Sequence, residues 1–204
     1  MDKRQRWNDR YASSGLTWSA GPNTLFAEIA AEILPGRALD VATGEGRNAL
    51  WLASQGWQVD AIDFSAVGID KGRQIAAERL LELNWITADV NTHAFAASAY
   101  DLVAVLYLHT SAEERAGWLP ALIHAVKPGG SWIYIGHDPL NIDQGIGGPQ
   151  DPALLPGIDD IIPMLAEFEL KRAEIYRRPV NSDPGHGASG DGIALDTLIW
   201  AVRR

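Results

Sequence analysis

The stretch Leu39-Asp40-Val41-Ala42-Thr43-Gly44-Glu45-Gly46-Arg47-Asn48-Ala49 decides the fold. An apolar run, 37–41, delivers the chain to a Gly-x-Gly turn; a helical pattern, 47–55, starts at once and stops at Gly56. A strand that turns on glycine straight into a helix opens a parallel β-α-β unit. Glycine lets the backbone approach a ligand closely, and the new helix offers unpaired N–H groups and the positive end of its dipole.

The same alternation continues outward in both directions. Upstream, 24–34 reads as a helix capped by Asn23 and stopped by Pro35-Gly36. Downstream, strands are expected at 57–62, 83–88, 100–106 and 131–135. Between them, Ser65 caps a helix running to about Leu80, and Ser111 with Glu114 forms a capping-box pattern for a helix ending at Lys127-Pro128-Gly129-Gly130. The stretch 138–156 is rich in Gly, Pro, Asp and Asn and reads as a long surface loop, a length often tied to function. A helix at 158–167 precedes two strands, 170–178 and 194–202, with no helix between them, so they should pair as an antiparallel hairpin at one sheet edge. The expected fold is α/β: a doubly wound, mostly parallel seven-stranded sheet with a C-terminal antiparallel hairpin. With no repeats and no linker, 1–204 reads as a single domain.

Composition narrows the function. Hydrophobic residues make up 47% and charged residues 21%, ordinary for a globular protein. There is no cysteine, which excludes disulfides, thiolate metal sites and cysteine nucleophiles. The first eleven residues are charged and lack the apolar core of a signal peptide, and no apolar run approaches the roughly 20 residues that span a bilayer. A cytoplasmic protein without membrane partners is expected. Acidic residues outnumber basic ones 26 to 17, for a net charge of −9, so nucleic acid is disfavoured as a partner.

Three acids fall at successive strand ends. Asp63 lies nineteen residues after Gly44, a spacing that suits a carboxylate accepting from ribose hydroxyls. Asp89, one strand further, is positioned to accept from an adenine amino group. Taken alone, Gly44-x-Gly46-x-x-Ala49 also fits a relaxed dinucleotide fingerprint, so an NAD(P)-dependent oxidoreductase is one alternative. Three features point away from it. A carboxylate at Asp40 would repel a pyrophosphate yet attract an amino group; Asp89 implies a nucleoside reached from two strand ends; and the closing hairpin is foreign to the dinucleotide order. A nucleoside-binding protein without catalysis is the other alternative.

His109 and His137, the latter followed by Asp138, come after the fourth and fifth strands, at the edge where ligands bind in such sheets. Each is a candidate to polarise or deprotonate a substrate. His93, His124 and His186 read as satisfying local backbone groups, and no histidine pair has helical metal-ligand spacing, so no metal is expected.

On these residues the chain resembles the class I S-adenosylmethionine-dependent methyltransferases, in particular the tellurite-resistance and thiopurine methyltransferase-like group. The resemblance runs through Trp7-Asn-Asp-Arg10-Tyr11 with Trp18, the run 39–53, Ala61-Ile-Asp63-Phe-Ser65, Ala88-Asp89-Val90, 101–109 and Val126-Lys-Pro-Gly-Gly130. It implies that S-adenosylmethionine is the cofactor. Asp40, Gly44 and Gly46 would surround its methionine part, Asp63 the ribose, Asp89 and the Val90 N–H the adenine. Phe64 would lie along the adenosine, and the backbone at Leu106 and Tyr107 would face the amino group or sulfonium. Residues 1–35 would fold over the cofactor, with Tyr11 and Trp18 as an aromatic lid that excludes water and attracts the sulfonium. The family usually has glycine where Ala42 stands, and often cysteine or another small residue at Thr43. The implied function is methyl transfer to a small molecule. A soft acceptor such as a thiolate needs no base, whereas a hydroxyl needs one.

Overall fold

The central strand of the parallel half of the sheet, β1 (Arg37–Val41), lies between β2 (Gln58–Asp63) and β4 (Tyr100–Leu106), parallel to both. In the computed structural model, which describes residues 2–12, 15–17, 19–182 and 192–204, β3 (Asn84–Thr87), β5 (Val126–His137), β6 (Phe168–Pro179) and β7 (Ile193–Arg203) complete one seven-stranded sheet. The order is β3-β2-β1-β4-β5-β7-β6. The first five strands run parallel; β7 is antiparallel to β5 and to β6, which forms the edge. The expected doubly wound sheet is therefore present, and its last pair is inserted so that β7, not β6, meets the parallel half.

Both faces of the sheet are covered, as the near-continuous apolar strands require. On β4 the side chains alternate: Leu102, Ala104 and Leu106 join Leu25, Phe26, Ile29 and Leu52 of α2 (Thr24–Ala30) and α3 (Arg47–Ser54). Val103 and Val105 join Trp118, Leu119 and Leu122 of α5 (Ala112–Ala125) on the other face. The capping box at Ser111 and Glu114 closes both of its hydrogen bonds, and Ser65 caps α4 (Ala66–Glu78) by accepting from the Gly68 N–H.

Four segments differ from the sequence reading. The first is α1 (Lys3–Tyr11), capped by Asp2, where the polar sequence had signalled no helix. The second is α5, which stops at Ala125; β5 begins at Val126, and Pro128-Gly129-Gly130 form a bulge as the register steps from Tyr100↔Val126 to Leu102↔Ser131. Third, 138–156 is not all loop but holds α6 (Asn141–Gln144) and a short 3-10 turn, Pro152–Leu154. Last, the helix expected at 158–167 is cut to α7 (Ile158–Ile161) and a 3-10 turn around Pro163, whose ring removes a helical N–H.

Candidate active site

A cavity of about 630 Å³ opens over the carboxyl ends of the parallel strands, within the about 300–1,000 Å³ usual for small-molecule sites. One end is built on the glycine turn. Ala42, Gly44 and Gly46 all take positive φ (56°, 59° and 81°), which folds the turn tightly beneath the cavity. A Cβ at Gly46 would fall 2.4 Å from the Trp85 ring, so glycine is required there for packing between α3 and β3. Asp63 stands on the cavity wall with its carboxylate fixed from behind: Oδ2 accepts from the Gly44 N–H (2.9 Å) and Oδ1 from the Ser65 N–H (2.8 Å). Burial pushes its carboxyl up, against the pull of these N–H groups. Asp89 lines the same wall beside Phe64 and Val90, and its Oδ1 accepts from the Asn91 N–H (2.9 Å).

Asp40 lies elsewhere. It is 1% exposed, sits under the turn and does not line the cavity. Thr43 Oγ1 donates to its Oδ2 at 2.5 Å, and burial, opposed by the Thr43 and Ala49 donors, raises its carboxyl to about 7. Thr43, not Asp40, meets the cavity.

The other end of the cavity is built by β4, β5, β6 and β7. Tyr107, His109 and His137 line it, with Gly147 and Gly148. The two imidazoles stack, 5.4 Å between centroids and 11° between planes, and Tyr107 stands edge-on to His137 at 5.3 Å. Behind them His137 pairs across the strands with Asp196, and its Nδ1 lies 3.1 Å from Asp196 Oδ1. Asp196 is fully buried; its Oδ2 accepts from the Tyr107 hydroxyl and from Arg178 Nε, each at 2.7 Å. Burial opposes its charge, but the neighbouring His137 and the Arg178 guanidinium outweigh burial and hold the carboxyl below its usual range. A roof is provided by α1, whose Lys3, Trp7, Arg10 and Tyr11 face the cavity about one turn apart. Lys3 Nζ reaches Glu114 at 3.1 Å and Ser65 Oγ donates to Asn8 Oδ1 at 2.7 Å, which fastens the helix across the opening.

Residues 38–130 match the family model described as a methyltransferase domain. A "Demethylmenaquinone methyltransferase" of Clavibacter sepedonicus is 32% identical over 115 residues, 55% of this chain and 44% of that one. The chain spans about half the length of the curated relatives it matches. Among solved structures, a protein studied in the conversion of a disulfide bond into a thioacetal group during echinomycin biosynthesis superposes with a TM-score of 0.76 at 18% identity, over 99% of this chain and 93% of that one. TehB from Haemophilus influenzae superposes with a TM-score of 0.72 at 14% identity, over 100% of this chain and 68% of that one.

The fold is the Rossmann-like methyltransferase fold.

In this methyltransferase fold the cavity gathers most of the residues singled out from the sequence: Tyr11, Asp63, Phe64, Asp89, Val90, Tyr107, His109 and His137 all line it. Three do not. Gly44 and Gly46 form the turn below, with the Gly44 N–H spent on Asp63, and Asp40 is shielded by Thr43. Asp40, expected beside the methionine part, does not line the cavity, whereas Thr43, hydrogen-bonded to it, does. Trp18 and His186 lie outside the described residues. Asp138, noted beside His137, turns away and accepts from Thr197 Oγ1 at 2.7 Å. His93 and His124 do not line the cavity.

Asp196 and Arg178 were missed. Their signal was an acid inside the apolar run Ala194-Leu195-Asp196-Thr197-Leu198, where a buried charge requires a partner. Among the described residues no group of three or more His, Cys, Asp or Glu side chains is placed to hold a metal ion, and no helix is long and apolar enough to cross a membrane.

Proposed function

We propose that this chain transfers a methyl group from S-adenosylmethionine to a small-molecule acceptor. The observation that carries the reading is the placement of Asp63 and Asp89 on one cavity wall, above a glycine turn, at the ends of neighbouring strands of a methyltransferase fold. The cofactor supplies a methyl group already activated on a sulfonium. The chain must therefore bind, orient and keep out water, and orientation alone is worth roughly 7–11 kcal/mol of a barrier.

In this reading Asp63 accepts from the ribose, Asp89 and the Val90 N–H hold the adenine, and Phe64 packs along the adenosine. Thr43 and the backbone at Tyr107 hold the methionine end. Residues 1–204 act as one domain, and α1 at the head of the 1–35 segment acts as its lid, with Tyr11 over the sulfonium. The space left beside His109 and His137 takes the acceptor. A small molecule is supported by the cavity's size and by the substrate in the name of the Clavibacter relative; the net negative charge argues against nucleic acid. A cytoplasmic site of action belongs to the same proposal and rests on the sequence.

Titration calorimetry with S-adenosylhomocysteine and with NADH tests the reading. Binding of the first alone is expected, and tight binding of NADH alone would overturn it. Transfer of labelled methyl to any member of a panel of phenols, amines, thiols and tellurite separates an enzyme from a binder.

A further inference from the structure

We infer that Asn141, which does not itself line the cavity, sets the selectivity of this site for its acceptor: its buried carboxamide fixes the 145–149 segment as a wall of the acceptor space. The inference rests on the proposed methyl transfer and adds what limits the size of the acceptor.

The wall is made of backbone. Of residues 138–156, those that line the cavity are Gly147, Gly148 and Pro149, next to His137. Gly147 and Gly148 take positive φ (77° and 73°), and a Cβ at Gly148 would fall 2.5 Å from His137 Cδ2, so the chain lies directly against that ring. Two glycines in a row bring no side chain to shape the space. The room left for an acceptor depends on where the chain itself runs. Glycine loses more conformational freedom than any other residue on being ordered, so such a wall needs an anchor.

Asn141 is that anchor. It is 1% exposed, on α6; its Nδ2 donates to the Gly147 carbonyl at 2.9 Å and its Oδ1 accepts from the Leu195 N–H at 2.7 Å. The second bond ties the wall to the sheet. Asp138 follows His137 in the β5–β7 register, opposite Leu195, and its N–H donates to the Leu195 carbonyl at 2.9 Å. A hydrogen-bonded pair in an antiparallel ladder exchanges two bonds. Here β5 has ended, and the Asn141 carboxamide supplies the second. One planar group must accept from one segment and donate to another, which a carboxamide does and an ionised carboxylate or an alkyl side chain does not. Gly145 keeps room for it, since a Cβ there would collide with the carboxamide. The ends of the loop are held separately: Thr197 Oγ1 donates to Asp138 Oδ2 at 2.7 Å and lies 3.1 Å from the Pro156 carbonyl oxygen. Loss of the Asn141 bonds therefore frees the middle of the loop and leaves its ends in place. Asn141 is a positioning residue that acts on the acceptor through Gly147.

The test uses the whole chain. S-adenosylhomocysteine binding is measured by calorimetry on wild type, Asn141→Ala and Asn141→Asp. Equal affinities are expected and show intact folding; no binding by wild type would sink the methyltransferase reading itself, whatever the next measurement finds. Amide hydrogen exchange, read by NMR, is expected to show Leu195 protected in wild type and about 10- to 100-fold faster in Asn141→Ala. In Asn141→Asp it stays protected, because the carboxylate keeps the acceptor and loses the donor. Labelled methyl transfer is then compared over phenols, amines and thiols, each as a one-ring and a two-ring compound. Both variants are expected to raise the acceptor KM about 3- to 10-fold, with kcat changed less than about twofold. Both should also raise the two-ring to one-ring ratio of kcat/KM. A fast-exchanging Leu195 in wild type, an unchanged KM and ratio in either variant, cofactor affinity falling in step with turnover, or cofactor binding with no acceptor methylated by wild type would each overturn the inference.

Discussion

The two ends of the cavity do opposite things with charge. At the glycine-turn end, Asp63 is tied only to backbone N–H groups, and Asp40 is buried with a hydroxyl and an N–H as partners. Among the described residues neither has a cation hydrogen-bonded to it, and burial pushes both carboxyls up. At the histidine end Asp196 is as deeply buried, yet an arginine and a histidine hold its carboxyl down. One end is poised to receive donors from a ligand. The other meets its charge from within the fold, with the Tyr107 hydroxyl and Arg178 Nε both on one carboxylate oxygen. What decides the state of a buried acid is therefore the set of donors that the fold brings to it, not its depth.

The largest effect should come from removing the internal anchor. Asp196→Ala leaves the Arg178 guanidinium buried without its carboxylate and is expected to cost about 3–5 kcal/mol, read from urea unfolding. A loss below 1 kcal/mol would mean that the two ends do not differ in the way described. Next is a pH effect of a few kcal/mol. With the folded-state value of Asp40 raised to about 7 and the unfolded value near 3.8, the folded chain keeps a proton that the unfolded chain gives up. Stability should be greatest below pH 4 on this account and fall as pH rises through 7. Asp63, also raised, adds to the trend, and Asp40→Asn should flatten most of it.

A third prediction probes ligand binding at the same end. Asp63→Ala should weaken S-adenosylhomocysteine about 10- to 100-fold, the worth of hydrogen bonds to a charged acceptor, about 1.5–3 kcal/mol. Unchanged affinity in calorimetry would remove Asp63 from the site. The smallest effect concerns Ala42, whose φ of 56° costs an L-residue roughly 1–2 kcal/mol. Ala42→Gly should therefore leave stability unchanged or raise it by up to about 1 kcal/mol, where the same change in ordinary backbone loses about that much.

The comparison also explains what could be read in advance. The glycine-turn end is local: a strand end, a turn and a helix start lie within eleven residues, and Asp63 and Asp89 announce themselves as acids just past expected strands. Periodicity and turn chemistry suffice for that, and they also supplied the seven strands and the antiparallel pair. The histidine end depends on register. His137 meets Asp196 only because β7 enters between β5 and β6 in one alignment, and a slip by one residue would turn Asp196 to the opposite face. Sequence placed His137 at a strand end but had no means to choose its partner 59 residues away. Similarly, Asp40 was legible as an acid beside the turn, but its concealment behind Thr43 follows from the positive φ at Ala42, which propensity does not reveal. The α1 roof escaped because its apolar face is only Trp7 and Tyr11 in a highly charged stretch.

The most direct test is a crystal structure with S-adenosylhomocysteine bound. The account predicts the ribose hydroxyls on Asp63, the adenine at Asp89 and the sulfur turned toward the His109–His137 stack. An adenosine seated away from Asp63, or a sulfur facing away from the histidines, would contradict it.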